Sequence, residues 1–292
     1  MIRKNSILNL LILDLLLLLV GCNSDSEKEE NLTPSISLRF TTDARNGEIN
    51  PLPEKVNARL HFFGKENEGV IEKEIFIDNN GQGSIEYLTE GKWHISYWNI
   101  PSEGQLHFDK NDNSINVSQT GNYLHEATPF YAGVSDFNHV PNNPIYLRLK
   151  PQTGVLTILL ILDDVTNSPE TISGVLSGIV SKRVFEAQGM NISEQGVGYV
   201  PFLFTLNSYS PFTYVASYRI LGISNTRKCE LELVFPNSNS FPVKIDLTTK
   251  LETFNNLTTD NTLCIVHIYN DKSIEVTIKV IDWEERDYEL DI

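Results

Sequence analysis

The amino-acid sequence predicts an all-β protein with a β-sandwich in each half. Three observations predict it. Apolar and polar residues alternate with a period of two, which places one side of each segment in a core. Gly, Asn, Asp and Pro punctuate these runs at short intervals, as turns require. No amphipathic stretch runs longer than a few helical turns.

The first-half strands are expected at Ser35 to Thr42, Asn57 to Gly64, Lys73 to Asp78, Ser84 to Leu88 and Lys92 to Asn99. Two more follow at Ser114 to Val117 and Ile145 to Lys150. Asp78-Asn79-Asn80-Gly81 reads as a hairpin turn, because Asn and Gly tolerate the positive φ of tight turns. Pro151-Gln152-Thr153-Gly154 reads as a domain boundary. It precedes the most apolar run after the N-terminal segment, Val155 to Leu162, which is expected to be buried on both faces. Further strands are expected at Thr171 to Val180, Tyr199 to Leu206, Tyr214 to Ile223 and Lys228 to Phe235. The last three are Val243 to Thr249, Leu263 to Tyr269 and Ile274 to Trp283. Roughly seven short strands per half is the spacing of a sandwich.

Ahead of the first strand stands a different kind of sequence. Arg3-Lys4 is followed by an apolar run from Ile7 to Val20 and then by Gly21-Cys22. A basic start, a short apolar run and a small residue before cysteine describe a lipoprotein signal peptide over residues 1–21. Cys22 then carries the lipid, and several acyl chains together hold a protein on a membrane. The alternative is an uncleaved anchor helix, but the run is shorter than the roughly 20 residues of a spanning helix and Asp14 interrupts it. Residues 22–33 are polar and acidic and bury nothing, so they read as a solvated tether. The expected units are residues 34–150 and 151–292, one sandwich each.

Charge narrows the partners. The chain of 292 residues carries 38 acidic and 23 basic side chains. Without Arg3, Lys4 and Asp14 there remain 37 and 21, a net charge of −16. Such a surface repels phosphate backbones, so nucleic acid is not expected as a partner. Cys229 and Cys264 both lie in strand-like runs. They read either as a cross-strand disulfide of an exported protein or as two buried free thiols, the reading taken here.

No catalytic constellation, metal site or cofactor motif is found, and no enzyme is expected. Ser177 in Gly174-Val-Leu-Ser-Gly178 lacks the spacing of a nucleophile elbow. Asp109-Lys-Asn-Asp-Asn-Ser114 suggests a calcium loop but lacks its glycine, and Thr120 stands where a glutamate is needed, so it reads as a polar turn. The six histidines show no pair at ligand spacing; His94 and His267 read as structural strand residues. Trp93 and Tyr97 fall on one face of one strand, with Trp98 on the other. They either fill a core or, if exposed, form a platform for sugar rings.

Several segments together resemble the fimbrillin-like and fimbria-anchor lipoproteins of Bacteroidetes. They are Asn57-Ala-Arg-Leu-His-Phe-Phe-Gly64, Gly81-Gln-Gly-Ser-Ile-Glu-Tyr-Leu88 and Glu90-Gly-Lys-Trp-His-Ile-Ser-Tyr-Trp-Asn99. Pro129-Phe-Tyr-Ala-Gly133, Ile172-Ser-Gly-Val-Leu-Ser-Gly178, Phe241 to Thr248 and Ile274 to Trp283 continue the series, and the acidic tether is similar to the surface-export signal of such lipoproteins. The resemblance covers most of residues 34–292. It implies two tandem transthyretin-like Greek-key sandwiches on a lipid-anchored, cell-surface protein of the outer membrane. It further implies a role in fimbriae or adhesion, with other fimbrial subunits as partners through strand exchange. Proteolysis after a basic residue in the first loop, Arg45 in this sequence, would free the first strand and sever the lipid. Otherwise Arg45 is an ordinary loop residue. The alternative function is a glycan-binding surface lipoprotein of a polysaccharide-uptake system, with Trp93 and Tyr97 as the stacking residues.

Overall fold

The computed structural model describes residues 35–42, 44–45, 48–49, 52–63, 69–86, 88–99, 105–163, 169–207, 212–236, 242–256, 261–269 and 274–280. The signal peptide, Cys22 and the tether lie outside these residues. Among the described residues there are 23 strands, one 3-10 turn (Phe254–Asn256) and no α-helix.

The strands run in chain order as follows. First come β1 (Ser35–Thr42), β2 (Ala44–Arg45), β3 (Glu48–Ile49), β4 (Lys55–Phe62), β5 (Val70–Phe76), β6 (Gln82–Glu86) and β7 (Gly91–Asn99). Then follow β8 (Leu106–Asp109), β9 (Ser114–Val117), β10 (Gln119–Thr120), β11 (Tyr123–Leu124), β12 (Tyr131–His139) and β13 (Ile145–Pro151). The second half holds β14 (Gly154–Leu162), β15 (Thr171–Val180), β16 (Lys182–Glu186), β17 (Gly189–Ile192) and β18 (Val197–Leu206). It ends with β19 (Thr213–Ile220), β20 (Glu230–Val234), β21 (Val243–Asp246), β22 (Asn261–Ile268) and β23 (Ile274–Val280).

One sheet has the order β5-β4-β7-β12-β13-β1-β6. Alternate residues of these strands, such as Leu38, Leu60, Ile95 and Leu147, share one core, so the sheet folds over on itself as a sandwich. The fold-over lies between β12 and β13, where only Tyr131↔Pro151 and Ala132↔Lys150 pair. A second, larger sheet has the order β21-β20-β15-β18-β19-β14-β22-β23. It folds at β18–β19, again across two pairs, Thr205↔Val215 and Leu206↔Tyr214. The all-β, sandwich-like architecture predicted from the periodicity is therefore present.

The two halves are interlocked. β8 and β9 pair into a four-stranded sheet with β16 and β17, and Trp98, Phe108 and Phe185 form an aromatic cluster beneath it, with centroids 4.4–6.2 Å apart. Residues from Trp98 to Ala132 thus contribute to the second core. The Pro151–Gly154 connection is buried throughout, unlike an exposed interdomain linker. Gln152 N donates to Phe130 O (2.7 Å), and Arg183 Nη1 donates to Gln152 Oε1 (3.1 Å).

Two expectations are corrected. Asp78 to Gly81 does form a tight turn, with Gly81 at φ 76° and Gly81 N donating to Asp78 O. It does not close a hairpin, because β5 pairs with β4 and β6 with β1. The run Val155 to Leu162 is not buried on both faces: Leu156, Ile158, Leu160 and Leu162 enter the core, while Val155, Leu159 and Ile161 are half-buried. Flanking side chains of β19 and β22, Val215 and Ile265 among them, cover that outer row only in part.

Candidate functional site: the first strand and the two sheet corners

β1 is an inserted strand. It pairs in parallel with β13 and antiparallel with β6, and Ile36, Leu38 and Phe40 are buried in the first core. Burying each such side chain stabilises the fold by roughly 2 kcal/mol. Removing β1 would therefore open a slot flanked by two strands with unmet backbone groups. Arg45 follows directly, with its backbone in a two-residue ladder, Ala44↔Ile49 and Arg45↔Glu48. Its side chain lies outside the described residues.

Trp93 and Tyr97 do not form a sugar platform. They are 2% and 1% exposed and sit in the first core. Strict alternation along β7 sends both inward, and each satisfies its polar atom internally. Trp93 Nε1 donates to Thr89 O (2.9 Å). Tyr97 Oη donates to Arg148 O and accepts from Arg148 N, both at 2.9 Å. That hydroxyl takes the place of the strand missing at the first corner, where β12 and β13 part after Ala132. Gly133 permits it: a Cβ there would lie 2.4 Å from Tyr97 Oη and 2.5 Å from Arg148 O. Burial pushes the Tyr97 hydroxyl up to about 12, against the opposing pull of its bond to Arg148.

The second corner is filled differently. Along β18, Tyr199 N donates to Asn122 O (3.0 Å) and Tyr123 pairs in parallel with Tyr199. Across the opening, Tyr218 Oη on β19 donates to Leu124 O (2.9 Å) and Ala127 N donates to Arg219 O (2.9 Å). The segment from Asn122 to Ala127 thus runs between β18 and β19. It leaves a cleft of about 610 Å³ walled by Tyr123, Pro201 and Arg219. Tyr123 and Tyr199 remain 48% and 42% exposed, with ring centroids 6.2 Å apart and tilted by 54°. Burial lowers the Arg219 guanidinium from its usual range, and the nearby Glu126 charge partly restores it.

The structure also places the remaining candidates. Cys229 and Cys264 are free and buried, and burial pushes each thiol up to about 12. Asp109 to Ser114 is the β8–β9 hairpin turn, with Asn113 at φ 50°, Asn111 N on Asp109 Oδ1 and Asp112 paired with Lys182. Ser177 and Gly178 form a bulge in β15; Ser177 Oγ accepts from Glu230 N (3.0 Å), and Gly178 sits at φ 77°. His61 and His94, distant in sequence, are cross-strand neighbours with centroids 6.4 Å apart, and His94 Nδ1 lies 2.7 Å from Asp136 Oδ1. Strand register, invisible in spacing, brings them together. Among the described residues no group of three or more His, Cys, Asp or Glu is arranged to hold a metal.

No protein-family model matches the sequence, and no curated protein matches it. Solved structures do. A candidate adhesin from Bacteroides ovatus superposes with a TM-score of 0.62 at 12% identity, over 86% of this chain and 95% of that one. The fimbrial anchor protein Mfa2 from Porphyromonas gingivalis gives 0.59 at 12% identity, over 85% and 97%. A candidate polysaccharide-binding protein from Bacteroides thetaiotaomicron gives 0.61 at 13% identity, over 86% and 99%. The chain shares its fold with these proteins. The resemblance read from the weak sequence signals is thereby met at the level of fold. Within this fold, the inserted first strand and the two corners are where strand pairing is incomplete without help from elsewhere in the chain.

Proposed function

We propose that this chain is a non-enzymatic, surface-exposed lipoprotein of the outer membrane that serves adhesion or the anchoring and assembly of fimbriae. The observation that carries the reading is the agreement of fold, over 85–86% of the chain, with an adhesin-type protein and a fimbrial anchor. The N-terminal sequence supports the membrane part: lipid on Cys22 holds the protein, and the acidic tether to residue 33 stands the units 34–150 and 151–292 off the bilayer. β-Strand contacts recruit partners. Among the described residues, β12 beyond Ala132 pairs only with β7, so its other edge offers backbone groups to an added strand. Arg45 stays uncut in this reading, because cleavage would remove both β1 and the lipid, and an anchor needs both.

The full-length chain, tagged at its C-terminus in its own host, tests this. The native protein is expected in the outer membrane, open to added protease on whole cells, with its N-terminus at Cys22 by mass. Cys22→Ala is expected in soluble fractions; tight membrane retention of that variant would refute the lipid anchor. Co-purified small β-rich subunits in a denaturant-resistant ladder support the fimbrial role.

A second reading, a glycan-binding lipoprotein, draws its support from the cleft beside Tyr123 and Tyr199. Trp93 and Tyr97 do not support it.

A further inference from the structure

We infer that the cleft at the second sheet corner is a binding site for a neutral carbohydrate, with Tyr123 and Tyr199 as its stacking platform. The inference goes beyond the fimbrial reading and needs neither the lipid nor strand exchange.

Four observations carry it. The volume, about 610 Å³, lies in the range of small-ligand sites, roughly 300–1,000 Å³. Tyr123 lines the cleft, and Tyr199 stands next to it just outside the lining, half-exposed and held in register across β11 and β18; both offer rigid apolar faces with hydroxyl tips. Their tilt of 54° makes a corner rather than a flat stack, suited to a ring with polar edges. Pro201 extends the apolar wall.

Two lining side chains carry polar atoms that no described residue satisfies, Gln105 Oε1 and Thr128 Oγ1. Buried polar atoms normally have partners, and an orphan is costly. Both atoms are shielded from solvent, so hydroxyl groups of a sugar reach them only where the two side chains turn toward the cleft.

The same geometry argues against a peptide strand as the occupant. The β18 edge is already engaged by Asn122 and Tyr123, and Pro201 has no N–H to give. Recognition must then run through side chains. The cleft lining carries one acid and one base, Glu126 and Arg219; Glu126 Oε1 accepts from the Arg219 backbone N–H (3.2 Å), and the Arg219 guanidinium donates to Thr153 Oγ1 (3.4 Å). That balance favours a neutral ligand over an anionic one.

The test is calorimetric titration of the purified full chain in detergent with maltohexaose, xylohexaose, mannohexaose, cellohexaose and lacto-N-tetraose. At least one is expected to bind. Tyr123→Ala and Tyr199→Ala are each expected to weaken it about tenfold or more, while Tyr123→Phe and Tyr199→Phe keep most of the affinity. Tyr146→Ala, which removes a still more exposed tyrosine from β13, is expected to change nothing. Binding of none of the five, or equal affinity in the Ala variants, would overturn the assignment. The fimbrial reading stands or falls separately, on Cys22→Ala and the co-purified ladder.

Discussion

The two halves meet the same architectural problem with different means. Each sheet folds over at a corner held by only two residue pairs, which leaves strand edges to be satisfied. In the first half one side chain does it: the Tyr97 hydroxyl reaches both backbone groups of Arg148. In the second half a chain segment does it, Asn122 to Ala127, lent by the first half. A side-chain plug satisfies the β13 backbone at Arg148 and leaves the outer edge of β12 and a small cavity of about 160 Å³ beside it. A borrowed segment leaves a cleft and ties the halves together. The first corner is thus a stability feature, and the second combines coupling with an exposed surface.

The largest expected effect tests the plug. Tyr97→Ala deletes a fully buried ring and its hydroxyl, and is expected to cost about 3–5 kcal/mol by urea denaturation. Tyr97→Phe keeps the ring and orphans Arg148 N and O, at about 1–3 kcal/mol. If the Phe variant matches the native protein, the hydroxyl does not seal the corner.

Next comes the coupling between halves. Arg183, on β16, is buried; Nε donates to Leu221 O (2.7 Å) and Nη1 to Gln152, and among the described residues it has no carboxylate and Nη2 has no partner. Burial lowers its pKa to about 10, the mark of a cation held at a cost. Arg183→Ala leaves a cavity and two unmet acceptors, and is expected to destabilise by about 2–4 kcal/mol. Arg183→Met fills the space and removes the buried charge but leaves the same two acceptors unmet, so its loss is expected to be about half that of the Ala variant or less, roughly 1–2 kcal/mol. Equal losses would mean that Arg183 acts through the charge rather than through packing.

These features also mark where sequence reading stopped. β1 and β4 alternate cleanly, as does β7 up to Tyr97, and all three were legible. β12 was not, because Gly133, Ser135, Asp136 and Asn138 leave almost no apolar row for pattern reading to find. β16 breaks the polar-out rule, since Arg183 is buried on the same face as Phe185. The burial of Trp93 and Tyr97 was one of two readings of the same alternation, and only packing decides between a core and a platform. The Tyr123–Tyr199 pair rests on a single parallel bridge between residues 76 positions apart, and no local pattern encodes that.

A smaller effect is expected from pH. The thiols of Cys229 and Cys264 are raised from about 9 to about 12 by burial, and Tyr97 is raised to about 12. A raised folded-state pKa gives stability that is fully present below the unfolded value and lost as pH climbs through the folded one. Stability should therefore fall from about pH 9 upward. Arg183 acts in the opposite sense above about pH 10, where its folded form sheds the proton first. Between pH 9 and 10 the thiols dominate, so Cys229→Ala with Cys264→Ala should flatten the decline of the urea midpoint there. In the native protein neither thiol should react with a thiol reagent until urea unfolds it.

The smallest stability effect belongs to the second corner, and its smallness is the point. Tyr123 and Tyr199 are half-exposed, and the backbone bonds that fill the corner do not run through their side chains. Truncating either to Ala is expected to change stability by no more than about 0.5 kcal/mol. Tyr97→Ala, by contrast, removes a ring that the fold cannot spare. Two half-exposed tyrosines that stand side by side at the second corner, Tyr123 in the lining of its cleft, then serve a ligand rather than the fold. A stability loss of 2 kcal/mol or so in either variant would instead make them part of the corner's packing, and would reduce the difference between the two corners to one of degree.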